Sequence, residues 1–350
     1  MSVRPSETAV SPNALDEAWR AAAGEAAVDR WYRIGDRVVR IVFAGDAVIP
    51  AIHPAFAHLG ADPGEADLTV HVWDSESTGA PEPSRPPVPQ DELPGAFYFF
   101  EDPPTRGVFQ PGMEALSVVD LDAARAWYWV RDPSVLPYWE EAAPLRQILH
   151  WYMATQGRQQ VHSGAVGHPD GGVLLVGKGG SGKSTCSLTS LVSPLRYAGD
   201  DYVMVSIEPE PWVHSLYSSG KVEPHNLTRV PHLQPAVTNA NRLDEEKAVV
   251  FVDQHFPDRP ISGFPLRAVV LPRITGGAVT RAVPTNGAAA LAALAPSTVF
   301  QLHTAGREAF SFMAQLVRQV PAFVLELGED ASAIPEAIDA LLVQLRASSS

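Results

Sequence analysis

Cysteine occurs once in these 350 residues, at Cys186, so no internal disulfide and no multi-cysteine zinc site can form. Lysine is nearly as scarce. Lys178, Lys183, Lys221 and Lys247 are the only four, and arginine supplies the rest of the 26 positive charges. No run of about 18 apolar residues is present, which excludes a membrane-spanning helix. The opening Met1-Ser-Val-Arg-Pro-Ser-Glu7 lacks the apolar core of a secretory signal, so a cytoplasmic location is expected. Positive charge is outnumbered, 26 basic against 40 acidic residues for a formal net of −14. That balance argues against broad binding to nucleic acid or to an anionic membrane. What remains is a globular chain, 45% hydrophobic with a mean hydropathy of −0.03, whose length fits two domains.

The first third reads mainly as β-structure. After a polar lead to about Ala27 with one helical piece, Ala14–Ala23, Trp31–Ile34 and Arg37–Phe43 flank a Gly35-Asp36 turn as a hairpin. Leu68–Trp73 alternates apolar and polar residues like a half-buried strand. Gly79–Pro94 holds six prolines, reads as a loop or spacer, and is followed by strands at Ala96–Phe100 and Ala126–Val130. Pro144–Met153 reads as a helix with proline in its first turn and Leu145, Ile148, Leu149 and Tyr152 as an apolar stripe. Further on, Gly287–Ala295 reads as a helix, Ala295–Phe300 as the start of another capped by Ser297 or Thr298, Phe323–Leu327 as a strand, and Ile334–Leu345 as a final helix.

Between these lies the stretch with chemical character. Gly172–Val176 reads as a buried strand, and Gly177-Lys-Gly-Gly-Ser-Gly-Lys183-Ser184 follows it, matching G-x-x-x-x-G-K-[ST] without a mismatch. A helix can continue from Thr185 to Leu191. Strand, loop and helix in that order are what a phosphate-binding loop requires. Glycines let the backbone N–H groups turn toward phosphate oxygens, and the helix N-terminus adds partial positive charge. The expected binding residues are therefore Gly177, Lys178, Gly179, Gly180, Ser181, Gly182, Lys183, Ser184 and Thr185. Lys183 would reach the β- and γ-phosphates of ATP, and the Ser184 hydroxyl would ligate Mg²⁺. Cys186, on the following helix, is expected to be a packing residue.

A second acidic element is expected to help hold the metal, and Gly199-Asp200-Asp201 supplies it, just before the strand-like Val203–Val205. Neighbouring carboxylates on extended backbone point to opposite sides, so one can face the metal and the other an acceptor. Upstream, Gln160-Val-His162-Ser-Gly-Ala-Val166 and a Gly167–Gly172 turn read as a hairpin whose first strand carries His162.

The order His162-Ser-Gly-Ala, then Gly177 to Ser184, then Gly199-Asp200-Asp201 resembles the nucleotide-binding core shared by HPr kinase/phosphorylase and the phosphoenolpyruvate carboxykinases. The resemblance runs from about Gln160 to Val205. It extends more weakly to the closing Pro321–Gly328 and Ile334–Ile338, and does not reach the N-terminal part. It implies Asp200 as the general base toward an acceptor hydroxyl, Asp201 as a Mg²⁺ ligand, and His162 as an assisting group near the γ-phosphate. No Glu-x-Arg-Gly-x-Gly element follows the acidic pair; Trp212–Lys221 stands there, which counts against HPr itself as acceptor and against the reverse reaction. The expected architecture is an α/β P-loop kinase domain of the HPr kinase/carboxykinase type, residues 136–350, preceded by a mainly β N-terminal domain, residues 1–135.

The expected activity is ATP-dependent transfer of the γ-phosphoryl group to a hydroxyl, which the resemblance implies is first of all a serine in a peptide or small protein. A small-molecule alcohol, sugar or amino acid is the second choice, and a nucleotide-dependent switch without transfer is the third. No Asn-Lys-x-Asp guanine motif and no Leu-Ser-Gly-Gly-Gln signature occurs, which counts against a GTPase and a transporter-type ATPase. The resemblance also implies at least a homodimer. Lys221, in a Ser218-Ser-Gly-Lys turn, and Lys247, after Asp244-Glu-Glu, could each neutralise nucleotide or acceptor charge. Arg229, Arg242, Arg259 and Arg273 read as surface charges more than as transition-state clamps, and His214, His225, His232 and His255 show no metal-ligand spacing.

Overall fold

The computed structural model describes residues 10–25, 27–86, 97–302, 304 and 306–349. The polar lead before Val10, the prolines Pro87, Pro89 and Pro94 of the expected spacer, Ala96 and Ser350 lie outside them. Two compact units emerge, Met1–Thr155 and Gln156–Ser350, so the division falls later than 135/136. The shift comes from the helix Arg146–Thr155. Its Ile148, Leu149, Trp151 and Met153 are all buried, and it belongs to the first unit. That helix starts two residues after Pro144, because Leu145 takes a left-handed φ of 57° that an α-helix cannot continue through.

In the first unit, β1 (Ala27–Ile34) and β2 (Arg37–Ala44) form the expected hairpin, and β3 (Leu68–Asp74) runs parallel beside β2. A meander of β4 (Tyr98–Asp102), β5 (Thr105–Gln110), β6 (Ala115–Asp120) and β7 (Arg125–Val130) completes a sheet ordered β1-β2-β3-β7-β6-β5-β4. The helix Pro12–Ala23, capped by the Ser11 side chain, covers one face of this sheet. Leu15 of that helix joins Trp73, Trp127 and Trp129 in a buried cluster, while Asp16 accepts from Arg125 and from the Trp127 indole at 2.6–2.9 Å.

Burial leaves His71 and His150 neutral. Each is held at a pKa of about 4 by desolvation, with Arg125 adding to the effect on His71 and Arg106 on His150. Because the folded pKa lies below the unfolded one, their stabilisation is complete above pH 6.5 and is lost as pH falls toward 4. Each should cost roughly 2 kcal/mol by pH 5. Seven of the eight tryptophans precede Gln156, so fluorescence reports this unit. The urea midpoint should fall more between pH 7 and pH 5 in the wild type than in His71→Gln/His150→Gln. Equal slopes would remove these histidines as the cause.

The second unit is built on one long strand, β16 (Gly263–Gly277), which pairs with three partners along its length. In chain order its other strands are β8 (Arg158–His162), β9 (Gly164–His168), β10 (Gly171–Leu175), β11 (Arg196–Gly199), β12 (Tyr202–Ser206), β13 (Trp212–His214), β14 (Ser219–Val222) and β15 (Ala248–Phe251), then β17 (Arg281–Thr285) and β18 (Ala322–Gly328). The main sheet runs β11-β9-β10-β16-β13-β12-β8, with β18 parallel to β16 and β17 at the edge beyond it. The central β10 is fully buried and parallel to β16, as its unbroken apolar run requires. Val173, Leu175, Ala268, Val270 and Leu325 share one face of the sheet. They pack there with Cys186 of the helix Lys183–Thr189 and with Ile338 and Leu342 of the helix Ala333–Ser349. Cys186 is thus a core residue, fully buried. The short pair β14–β15 packs on the other flank of the Lys183–Thr189 helix through Leu188, Val222 and Val250.

Three local expectations are corrected. His162 does not lie in the β9–β10 hairpin. The strand breaks at Ser163, and His162 ends β8, whose partner is β12. Lys221 lies in strand β14 rather than a turn. The helix after Thr285 begins at an Asn286 cap and continues through Pro296 to Gln301, so Ser297 and Thr298 are helical residues and not caps. Among the described residues no helix is long and apolar enough to cross a membrane.

Candidate active site

Strand β10 ends at Leu175, and the Val176 amide still bonds to Val270 O at 2.9 Å before the chain leaves the sheet. Gly177 to Gly182 form the loop, closed by Ser181 N–H donating to Lys178 O at 3.2 Å. Gly182 takes φ 102°, which requires glycine, and a Cβ there would also have to displace the tip of the Leu327 side chain, 2.7 Å away. The helix starts at the next residue, and its first i to i−4 bond runs from Cys186 N–H to Gly182 O. The amides of Lys183, Ser184 and Thr185 therefore have no acceptor within the helix. Lys178, Gly179 and Gly180 are exposed, whereas Lys183 is buried. The Lys183 ammonium folds back over the loop and donates to Gly177 O at 2.7 Å. Burial lowers its pKa, an effect opposed by the charges of Asp200 and Asp201.

The turn from β11 to β12 carries both acids to this loop; they lie in the bend between the strands rather than on extended backbone, and they engage different partners. Asp200 is 1% exposed. Its Oδ2 accepts the Lys221 amide at 3.1 Å, its carboxyl lies beside Ser184, and its Oδ1 is buried with no partner among the described residues. Burial, reinforced by the Asp201 charge, pushes its pKa up to about 6 against the pull of Lys221, Ser184 and Lys183. Asp201 keeps a side chain 20% exposed, and both its oxygens are engaged, Oδ1 with His162 Nε2 at 3.0 Å and Oδ2 with Lys221 Nζ at 2.6 Å. Burial alone would raise its pKa, but the Lys221 charge and the His162 contact outweigh it and hold the carboxyl well below the usual range.

His162 is fixed from two further directions. Its amide donates to Thr298 Oγ1 at 3.2 Å, and its ring lies 5.5 Å from that of Tyr202. The Tyr202 hydroxyl in turn donates to Gln301 Oε1 at 2.8 Å. The helix Gly287–Gln301 thus forms one wall of the site. This was not legible from its alanine-rich composition; the only available signal was a threonine and a glutamine three residues apart, which share a helical face. The site draws on three of the four lysines in the sequence, Lys178, Lys183 and Lys221. Lys247 instead pairs with Glu223 at 2.9 Å. Arg273 bonds to Glu326, Arg242 to Glu246 and Arg259 to Ser193 O, while Arg229 is exposed. None of these four enters the cluster of Lys183, Asp200, Asp201 and His162. Among the described residues no group of three or more His, Cys, Asp or Glu is arranged to hold a metal ion by itself.

Comparison with known proteins adds little to this geometry. No family model matches the chain. A 90-residue segment is 33% identical to glucose-6-phosphate isomerase of Thermosynechococcus vestitus; it covers 24% of this chain and only 17% of that enzyme. Among solved structures, the Hpr(Ser) kinase/phosphatase of Coxiella burnetii matches over 55% of this chain and 98% of its own, at 13% identity and a TM-score of 0.31. A score of that size carries no argument, and the case for function rests on the residues themselves.

Proposed function

We propose that this chain is an ATP-dependent phosphotransferase that passes the γ-phosphoryl group to a hydroxyl. One observation supports the reading above all. A complete Gly177–Ser184 loop with its lysine stands against a buried acidic pair, one acid beside the loop's serine and the other bonded to a histidine. Phosphoryl transfer asks for positioning and charge stabilisation more than for covalent chemistry, and these parts suffice for it. The loop amides and Lys183 would bind the ATP phosphates.

The donor set at Ser184 fits a hard cation such as Mg²⁺. A hydroxyl and a carboxylate oxygen that is buried without any protein partner are oxygen ligands of the required kind. When bound, Mg²⁺ supplies neutralisation of the phosphate charge. Exposure favours the opposite division between the two acids from the one the family resemblance implied. Asp200, sealed from solvent beside Ser184, suits the metal, whereas Asp201, its side chain 20% exposed and paired with the buried His162, suits the acceptor hydroxyl. The acceptor proton would pass to that histidine–aspartate pair, with Asp201 fixing the orientation of the imidazole. The acceptor itself we take to be a serine of a peptide or small protein, as the resemblance to the HPr kinases implies.

The test is incubation with ATP and Mg²⁺ against a pool of serine peptides and a pool of alcohols and sugars, followed by mass spectrometry. A phosphate-sized mass gain on a peptide, abolished in Asp200→Asn, is expected. A gain confined to the small molecules would overturn the peptide assignment. No gain in either pool, together with no ADP formation, would overturn the phosphotransferase reading.

A further inference from the structure

Among the described residues Lys221 is the one that binds both acids, and it does so through two chemically different bonds. Its backbone N–H donates to Asp200 Oδ2, and its ammonium pairs with Asp201 Oδ2. The side chain is only 14% exposed, so this is not a solvated surface lysine. We propose that Lys221 is a positioning residue of the transfer reaction, acting through Asp201, an inference that rests on the phosphotransferase reading above.

Three observations carry it. First, the residue is rigidly placed. At the preceding Gly220 a Cβ would lie 2.5 Å from the tip of the Leu188 side chain, so β14 packs closely, through Leu188, on the helix that follows the glycine-rich loop. Loop, acids and Lys221 are thereby locked into one frame. Second, the two oxygens of Asp201 are shared between His162 on one side and Lys221 on the other. Removing the ammonium frees one oxygen and lets the carboxylate rotate, which releases the imidazole it orients. Third, the amide bond to Asp200 is a backbone property that survives side-chain substitution. A change at Lys221 therefore addresses Asp201 alone and leaves the tether at Asp200 in place. A compact ammonium also suits the task, since an arginine fork would reach further and spread its donors over several acceptors. In a chain that uses arginine for nearly all other positive charge, lysine is the residue found here.

A double-mutant cycle separates this role from direct contact of Lys221 with the transferred phosphoryl group. ADP formation from Mg·ATP would be followed for the wild type, Lys221→Met, Asp201→Asn and the double variant, with folding checked by circular dichroism. If Lys221→Met does not fold, Lys221→Gln, which keeps a donor toward Asp201, replaces it. Each single change should lower kcat by about 10²-fold and move the KM for ATP by less than about threefold. The double variant should be no slower than Asp201→Asn, within about threefold, because the two residues act as one unit. Losses that multiply to about 10⁴-fold would place Lys221 on the substrate independently of Asp201 and overturn the inference. So would a Lys221 variant with wild-type turnover. A wild type that forms no ADP would instead sink the phosphotransferase reading, and this inference with it.

Discussion

Asp200→Asn is expected to give a protein that is more stable than the wild type and nearly inactive. The two effects have one cause. Asp200 is buried against Ser184 with one oxygen unpaired, and its pKa is pushed up to about 6 by desolvation and by Asp201. A carboxyl whose folded pKa exceeds its unfolded value is destabilising while ionised. Its penalty is full above the folded pKa and disappears as pH falls toward the unfolded one. At pH 7, without divalent cation, a shift of about two units corresponds to roughly 2–3 kcal/mol, which the neutral amide would recover. Asparagine can still accept the Lys221 amide through its own carbonyl oxygen. Thermal unfolding at pH 7 should therefore occur at higher temperature in the variant, and the gap should close as pH is lowered toward 4. Phosphoryl transfer should fall by about 10³-fold, since a neutral amide is a poor ligand for Mg²⁺ beside Ser184. ATP affinity without the metal should stay within about twofold, because the loop and Lys183 are untouched. A variant that is destabilised at pH 7 would show that the carboxylate is not strained, and one that turns over normally would show that it is not used. Stability stored against function in this way is what sites requiring a buried charge exhibit.

How much of this was legible in the sequence depended on how local each signal was. The glycine-rich loop is written in eight consecutive residues, and its strand and helix follow from the apolar run before it and the absence of breakers after it. The acidic pair was found because it stands alone beside a strand. Hairpin β1–β2, strand β3 and the closing β18 were equally clear, since alternation and turn residues act over short distances. Positions that depend on partners distant in sequence were not legible. His162 sits on β8 because Ser163 breaks the strand and the Ser163 amide bonds to the Asp201 carbonyl at 3.0 Å, a contact across 38 positions that no local pattern records. Lys221 looked like a turn residue because Ser218-Ser-Gly-Lys has turn composition, yet its glycine is there for the close approach of Leu188. Thr298 and Gln301 follow a proline that reads as a helix boundary, although the helix in fact passes through it. The acids' unequal exposure was also beyond reach. Adjacent aspartates look alike in sequence, and only their surroundings in the folded chain separate the sealed carboxyl from the accessible one.

Lys183→Met is expected to have the other large effect, and it differs in kind from the first. The ammonium is buried at a depressed pKa and donates to the carbonyls of Gly177 and Lys178. These bonds hold the loop closed on itself, and a buried cation of this sort contributes little to folding because desolvation offsets its hydrogen bonds. Methionine keeps the stem and relieves the desolvation, so thermal stability should not fall. Nucleotide binding should suffer strongly. A charge-assisted contact to phosphate is worth about 1.5–3 kcal/mol, which corresponds to roughly 10- to 100-fold in affinity for ATP. Transfer should fall further, by another 10²–10³-fold or so, because the lysine would meet more charge in the transition state than in bound ATP. Titration calorimetry with ATP, alongside turnover at saturating nucleotide, separates the two losses. An unchanged affinity would mean that the Gly177–Ser184 loop does not bind ATP phosphates, and the entire phosphotransferase assignment would fail at its first step. A loss of affinity with unchanged turnover would keep ATP in the loop but remove Lys183 from the chemistry, leaving charge stabilisation to the metal beside Ser184.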